Sequence, residues 1–165
     1  MNLKIQNVSL SIKGRVIVND VSIIVNPGEV VGLMGPNGAG KTTTFNLAVG
    51  NIKPDKGEVL LNGKKITNLP LPLRSRLGLG YLTQEASIFR DLTVKDNIDL
   101  ALQNSSNSRA AIRNRREKLI NEFNLNNFVD NYGYQLSGGE RRRCEIARAL
   151  TVGRKGPKYL SLIHI

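Results

Sequence analysis

The chain has no tryptophan, four tyrosines, four phenylalanines, one cysteine and one histidine among its 165 residues. A single cysteine, Cys144, excludes a disulfide framework and is compatible with a reducing compartment. It falls within a helical pattern, where it reads as an ordinary core thiol. So few aromatics mean that a core must lean on Val, Ile and Leu, as parallel sheets do. No apolar run reaches the ~18 residues needed to span a bilayer, and the first residues lack a signal-peptide pattern. Membrane association is therefore expected only through a partner. Acidic residues are scarce: 13 Asp and Glu against 24 Lys and Arg, a net charge of +11. The excess is spread evenly, +6 over residues 1–80 and +5 over 81–165. Without a recognisable nucleic-acid motif, and with little aromatic surface for base stacking, direct nucleic-acid binding is not expected. Anionic lipid headgroups suit the charge better. At 40% hydrophobic residues the chain can bury a core of ordinary domain size.

Gly35-Pro36-Asn37-Gly38-Ala39-Gly40-Lys41-Thr42 is a complete G-x-x-x-x-G-K-[ST] loop. It follows Val30-Val31-Gly32-Leu33-Met34, whose β-branched apolar character predicts a buried strand. It precedes a predicted helix over Thr42–Val49. The glycines let the backbone aim several N–H groups at one anion, and the helix start adds partial positive charge at the same point. Lys41 is placed to reach the β- and γ-phosphates and the Thr42 hydroxyl to ligate Mg²⁺. Gly35, Pro36, Asn37, Gly38, Ala39, Gly40, Lys41, Thr42 and Thr43 are accordingly the candidate nucleoside triphosphate site.

Leu136-Ser137-Gly138-Gly139-Glu140 opens a second helix, marked by Ile146, Ala147, Ala149 and Leu150 at helical spacing. Free N–H groups and a serine hydroxyl at its start make a second possible anion site. By itself such a string is more often a linker and cap; behind a phosphate loop in the same chain, the anion reading gains weight.

The pairing resembles the nucleotide-binding subunits of ABC transporters, over essentially the whole chain from Leu3 to about Leu160. The resemblance implies an α/β fold: a P-loop NTPase (ABC ATPase) core, an N-terminal antiparallel β-subdomain and an inserted helical subdomain, incomplete at the C-terminus. It implies that residues 1–84 and 150–160 belong to the core and 85–149 to the helical subdomain, which leaves 160–165 as a tail taken up below. It implies a head-to-tail dimer with a second copy, in which Ser137, Gly138 and Gly139 meet the γ-phosphate of the partner's ATP. Gln84 matches the glutamine that touches Mg²⁺ and the attacking water and senses the membrane subunits. Gln84-Glu85-Ala86-Ser87-Ile88-Phe89-Arg90, with Leu92-Thr93-Val94, Asn97-Ile98 and Glu140-Arg141-Arg142-Arg143, is similar to the ATPase subunits of lipopolysaccharide export transporters. That resemblance places Phe89 and Arg90 in the groove that receives a coupling helix, at the cytoplasmic face of the inner membrane. The plainer reading makes Phe89 core and Arg90 a solvated charge.

Two departures accompany the resemblance. Ile12 stands where the family usually stacks an aromatic on adenine, so part of the ~0.5–1.5 kcal/mol aromatic bonus is expected to be lost. Where the family has Asp-Glu-Pro, this chain has Ile163, His164 and Ile165. The Asp holds Mg²⁺ through water and the Glu polarises the attacking water, a task that calls for an anionic acceptor. Leu160-Ser161-Leu162-Ile163-His164-Ile165 is also the translation of CTG-TCT-CTT-ATA-CAC-ATC, a transposon end used in preparing sequencing libraries. The last five or six residues are therefore expected to be non-biological, and the chain as written to hydrolyse little or no ATP and to misfold.

The remaining pattern gives the organisation. Leu3 to about Val25 alternates as antiparallel strands, with turns at Lys13-Gly14 and Asn26-Pro27-Gly28. Glu58–Ile66 reads as a strand closed by an Asn62-Gly63 hairpin turn. Leu79–Thr83 is expected to be a central strand that delivers Gln84. Residues 85–134 turn helical, with a loop at 104–108 and a solvated basic helix from Arg113 through Phe123. The functional alternatives are a transport ATPase for lipopolysaccharide export, the ATPase of a branched-chain amino-acid-type importer, and a nucleotide-binding module without turnover.

Overall fold

β1 (Leu3–Ile12) turns at Lys13-Gly14 and returns antiparallel as β2 (Arg15–Val25). On its other edge β1 pairs antiparallel with β3 (Lys56–Leu61), which is linked by Asn62-Gly63, both at positive φ, to β4 (Lys64–Lys65). The strand order is β2-β1-β3-β4. Both expected hairpins are present. The buried residues of β1 are Leu3 and Ile5, then Val8 and Leu10. Their spacing skips one position because the ladder is irregular between Ile5 and Val8, and the extra residue restores the inward phase. Asn7 lies in that irregularity at φ 49, its Nδ2 donating to Asp20 and its main-chain N–H to Ser22 Oγ.

The computed structural model describes residues 2–103 and 108–151, which divide into two compact units at Ser75/Arg76. The first contains the sheet, α1 (Lys41–Val49) and most of α2 (Leu71–Arg76). Thr44, Phe45, Leu47, Ala48 and Val49 of α1 are buried. At the far end of α1, Arg74 is fully buried and donates to Leu47 O, Ala48 O, Thr67 O and Leu69 O. Burial pulls its pKa down to about 10, still well above neutral, so a cation stands against the negative end of α1.

Two sequence expectations fail in the sheet. Val30–Met34 forms no strand, and Val30 and Met34 are 96% and 92% exposed. Leu79–Thr83 also forms no strand, although Leu79 and Leu82 are buried. A strand exists by its ladder, and among the described residues neither segment has one. The sheet that is present is wholly antiparallel, as expected of the N-terminal β-subdomain. An apolar cavity of about 50 Å³ lies in the first unit, lined in part by Ile5, Val25, Val31, Leu33 and Phe45.

The second unit is helical: α3 (Val94–Gln103), α4 (Arg109–Glu122), two 3₁₀ turns at Asn126–Phe128 and Gly133–Gln135, and α5 (Gly138–Ala149). Its core gathers Val94, Ile98, Leu119, Leu125, Leu136 and Ala147 around the fully buried Cys144. Arg116 of α4 pairs with Asp99 of α3 at 2.6 Å. Among the described residues no helix is long and apolar enough to cross a membrane.

Candidate nucleotide site and signature helix

Gly40 caps α1 at φ 85, and a Cβ there would lie 2.5 Å from the main-chain oxygen of Ile17. Only glycine lets the loop pass this close to β2. No side chain caps the helix and no acidic residue stands in its first turn, so the N–H groups of that turn keep their donors for a ligand. Lys41 Nζ donates to Gly35 O and Pro36 O, at 2.8 Å each. Among the described residues no carboxylate is within 4.0 Å of it. A cation folded over a glycine-rich loop, together with an uncapped helix start, is the donor set that a triphosphate fits. Thr42 is exposed at the head of α1, and Thr43 is half-buried beside it. Ile12, at the end of β1 opposite Arg15, is 46% exposed.

In the second unit, Ser137 and Glu140 cap α5 reciprocally. Ser137 Oγ accepts from Glu140 N–H at 3.4 Å, and Glu140 Oε2 accepts from Ser137 N–H at 2.7 Å. The Ser137 N–H bond, then the Ser137 hydroxyl, hold the Glu140 carboxyl below its usual range. Two features expected to serve an anion, the Ser137 hydroxyl and its N–H, are thus engaged with Glu140. The first-turn N–H groups of Gly138 and Gly139 have no carbonyl four residues back within the helix.

Gln84 is exposed in the segment before α3. Phe89 is 46% exposed, so it is not core, and Arg90 is exposed beside it. The turn is shaped by Asn97, fully buried on α3, which binds the main chain at Phe89, Leu92 and Thr93. Sequence reasoning missed Glu145, Arg142 and Arg148, which bind residues 83–89 from α5. Their spacing by three along α5 was the available signal. Ile163, His164, Ile165 and the Pro157–Leu160 run lie outside the described residues.

The sequence matches the ABC transporter family over residues 18–156, and the chain belongs to that family. It is 49% identical over 163 residues to the lipopolysaccharide export system ATP-binding protein LptB of Haemophilus influenzae, covering 97% of this chain and 66% of that protein. It is 48% identical over 160 residues to LptB of Acidithiobacillus ferridurans, covering 97% and 65%. Among solved structures it resembles the ADP conformation of an ATP-binding cassette of an ABC transporter, with TM-score 0.79 and 28% identity over 92% of this chain and 65% of that one. A further ATP-binding subunit of an ABC transporter superposes with TM-score 0.78 at 26% identity, covering 92% and 62%. The chain thus spans about two thirds of the length of the proteins it matches.

Proposed function

We propose that this chain is the nucleotide-binding part of a transport ATPase, a subunit that binds ATP with Mg²⁺ and drives lipopolysaccharide export. The observation that carries the reading is Lys41 folded over the Gly35–Gly40 loop at the uncapped start of α1. The 48–49% identity to LptB proteins supports the cargo. In this reading the loop N–H groups hold the β- and γ-phosphates, and Lys41 leaves its carbonyls for them. Ile12 covers the base. Ser137, Gly138 and Gly139 serve the ATP of a second copy arranged head to tail. Mg²⁺, held by Thr42 and Gln84, would neutralise charge developing on the phosphates. Phe89 and Arg90 face an integral membrane subunit at the cytoplasmic face of the inner membrane. Residues 1–84 and 150–160 act as the nucleotide core and 85–149 as the helical arm.

Turnover needs a carboxylate to orient water, and the family resemblance puts Ile163 and His164 where it expects the acidic pair. We therefore expect the 165-residue chain to bind ATP with little hydrolysis. Titration with a fluorescent ATP analogue and Mg²⁺ tests this: binding should weaken at least 10-fold in Lys41→Ala. Equal binding by the variant overturns the nucleotide site, and rapid phosphate release by the parent chain overturns the turnover statement. Co-purification with lipopolysaccharide-export membrane subunits supports the cargo, whereas recovery with importer subunits overturns it.

A further inference from the structure

Three residues of α5, each three positions from the last, bind one stretch of main chain. Glu145 has only 2% of its side chain exposed, and its Oε1 accepts from Ser87 N–H at 2.6 Å and Ile88 N–H at 3.2 Å. Arg142 donates to Glu145 Oε2 at 3.1 Å and to Thr83 O at 2.9 Å. Arg148 donates to Ser87 O at 2.6 Å, and its guanidinium stands 4.5 Å from the centre of the Phe89 ring. Gln84 therefore lies between two anchored points, Thr83 and Ser87. A buried carboxylate that accepts two main-chain donors and a guanidinium is fully used, and removing it would strand all three partners. Cation–π contact adds a directional hold on Phe89.

We propose that Glu145, with Arg142 and Arg148, is a positioning clamp that makes residues 83–89 move as one piece with α5. A displacement of the helix that begins at Ser137 is then delivered to Gln84 and Phe89 without a separate hinge. Packing alone could hold the segment near α5, but three polar anchors on separate atoms also fix its register along the helix. This inference rests on the nucleotide-site reading above.

Amide hydrogen exchange in the full chain tests the clamp. Glu145→Ala should speed exchange at Ser87 and Ile88 at least 10-fold while α3 and α4 keep their protection. Glu145→Gln, which retains an acceptor oxygen, should restore it to within about threefold. Should Glu145→Ala not fold, Arg148→Gln provides the second probe, with faster exchange expected at residues 87–89 alone. Unchanged protection at Ser87 and Ile88 in Glu145→Ala, or at 87–89 in Arg148→Gln, overturns the clamp. With Mg²⁺-ATP added, protection should change together at 84–89 and along α5 in the parent chain. In Glu145→Ala the α5 response should persist and the 84–89 response be lost. ATP that binds but gives equal 84–89 responses in both proteins overturns the linkage alone. If the parent chain fails to bind the nucleotide, the site reading fails and the linkage falls with it.

Discussion

Asn97 holds Phe89 by both of its main-chain groups: Oδ1 accepts the Phe89 N–H at 3.0 Å, and Nδ2 donates to the Phe89 carbonyl at 2.9 Å. The same amide nitrogen reaches Leu92 O and Thr93 O, so one buried side chain closes the turn that enters α3. Asn97→Ala should cost about 1–3 kcal/mol through unsatisfied buried groups. Asn97→Asp should cost no less, since it keeps the acceptor but loses the donor. Urea unfolding of the two variants checks the order; an aspartate variant as stable as the parent would remove Nδ2 from the account.

Arg74 ties the carboxyl end of α1 to the segment at Thr67–Leu69. Lysine cannot reproduce a planar fork that serves four carbonyls at once. Arg74→Lys should lose on the order of 3 kcal/mol, and Arg74→Met at least as much, since each carbonyl left bare is penalised separately. Denaturant midpoints with unchanged slopes would report this as a stability loss.

Gly40→Ala should damage the loop while leaving the second unit intact. The added Cβ would meet the Ile17 main-chain oxygen at 2.5 Å, in a backbone conformation that alanine resists. Nucleotide affinity should fall at least 10-fold, with α3–α5 exchange unaltered. Wild-type affinity in this variant would mean that the loop relaxes away from β2 when ligand binds.

The cap of α5 carries a pH signature. Glu140 titrates below its ordinary value near 4.5 because it accepts from Ser137. A carboxyl whose folded pKa is depressed contributes stability above its unfolded pKa and loses it as pH falls through the folded one. Amides in the first turn of α5 should therefore loosen on acidification below about pH 4.5. Glu140→Gln should flatten that dependence, and Ser137→Ala should move the Glu140 midpoint upward in an NMR titration.

Cys144 should be inert in the folded chain. Burial pushes its thiol up to about 12, with Arg148 pulling the other way and Glu145 adding to the rise. At pH 8 an alkylating reagent should label it at least 100-fold more slowly than free cysteine, and fully once urea is added. Fast native labelling would show that the α5 core opens readily.

Local chemistry was readable from the chain; long-range pairing was not. The Lys13-Gly14 and Asn62-Gly63 turns, the α1 start at the phosphate loop and the Ser137 helix start follow from short-range rules, and each is found. Val30–Met34 and Leu79–Thr83 were read as strands from composition, which records a need for burial and not the presence of a ladder. Local pattern does not decide whether Phe89 is core or lines a groove, because one aromatic in a turn obeys no period. The role of Glu145 is hidden in the sequence because the pairing partners of α5 lie about 60 positions earlier in the chain.

On the proposed reading, the contacts of Lys41 with its own loop make nucleotide capture an exchange. Its ammonium already satisfies two carbonyls of the loop. An arriving phosphate must draw it off, returning Gly35 O and Pro36 O to water. The net gain is the difference between ammonium–phosphate and ammonium–carbonyl hydrogen bonds, smaller than the full strength of either. The enthalpy of binding should be correspondingly muted. The loop is meanwhile spared an unsatisfied ammonium, and its shape is kept between ligands by the residue that later lets it go.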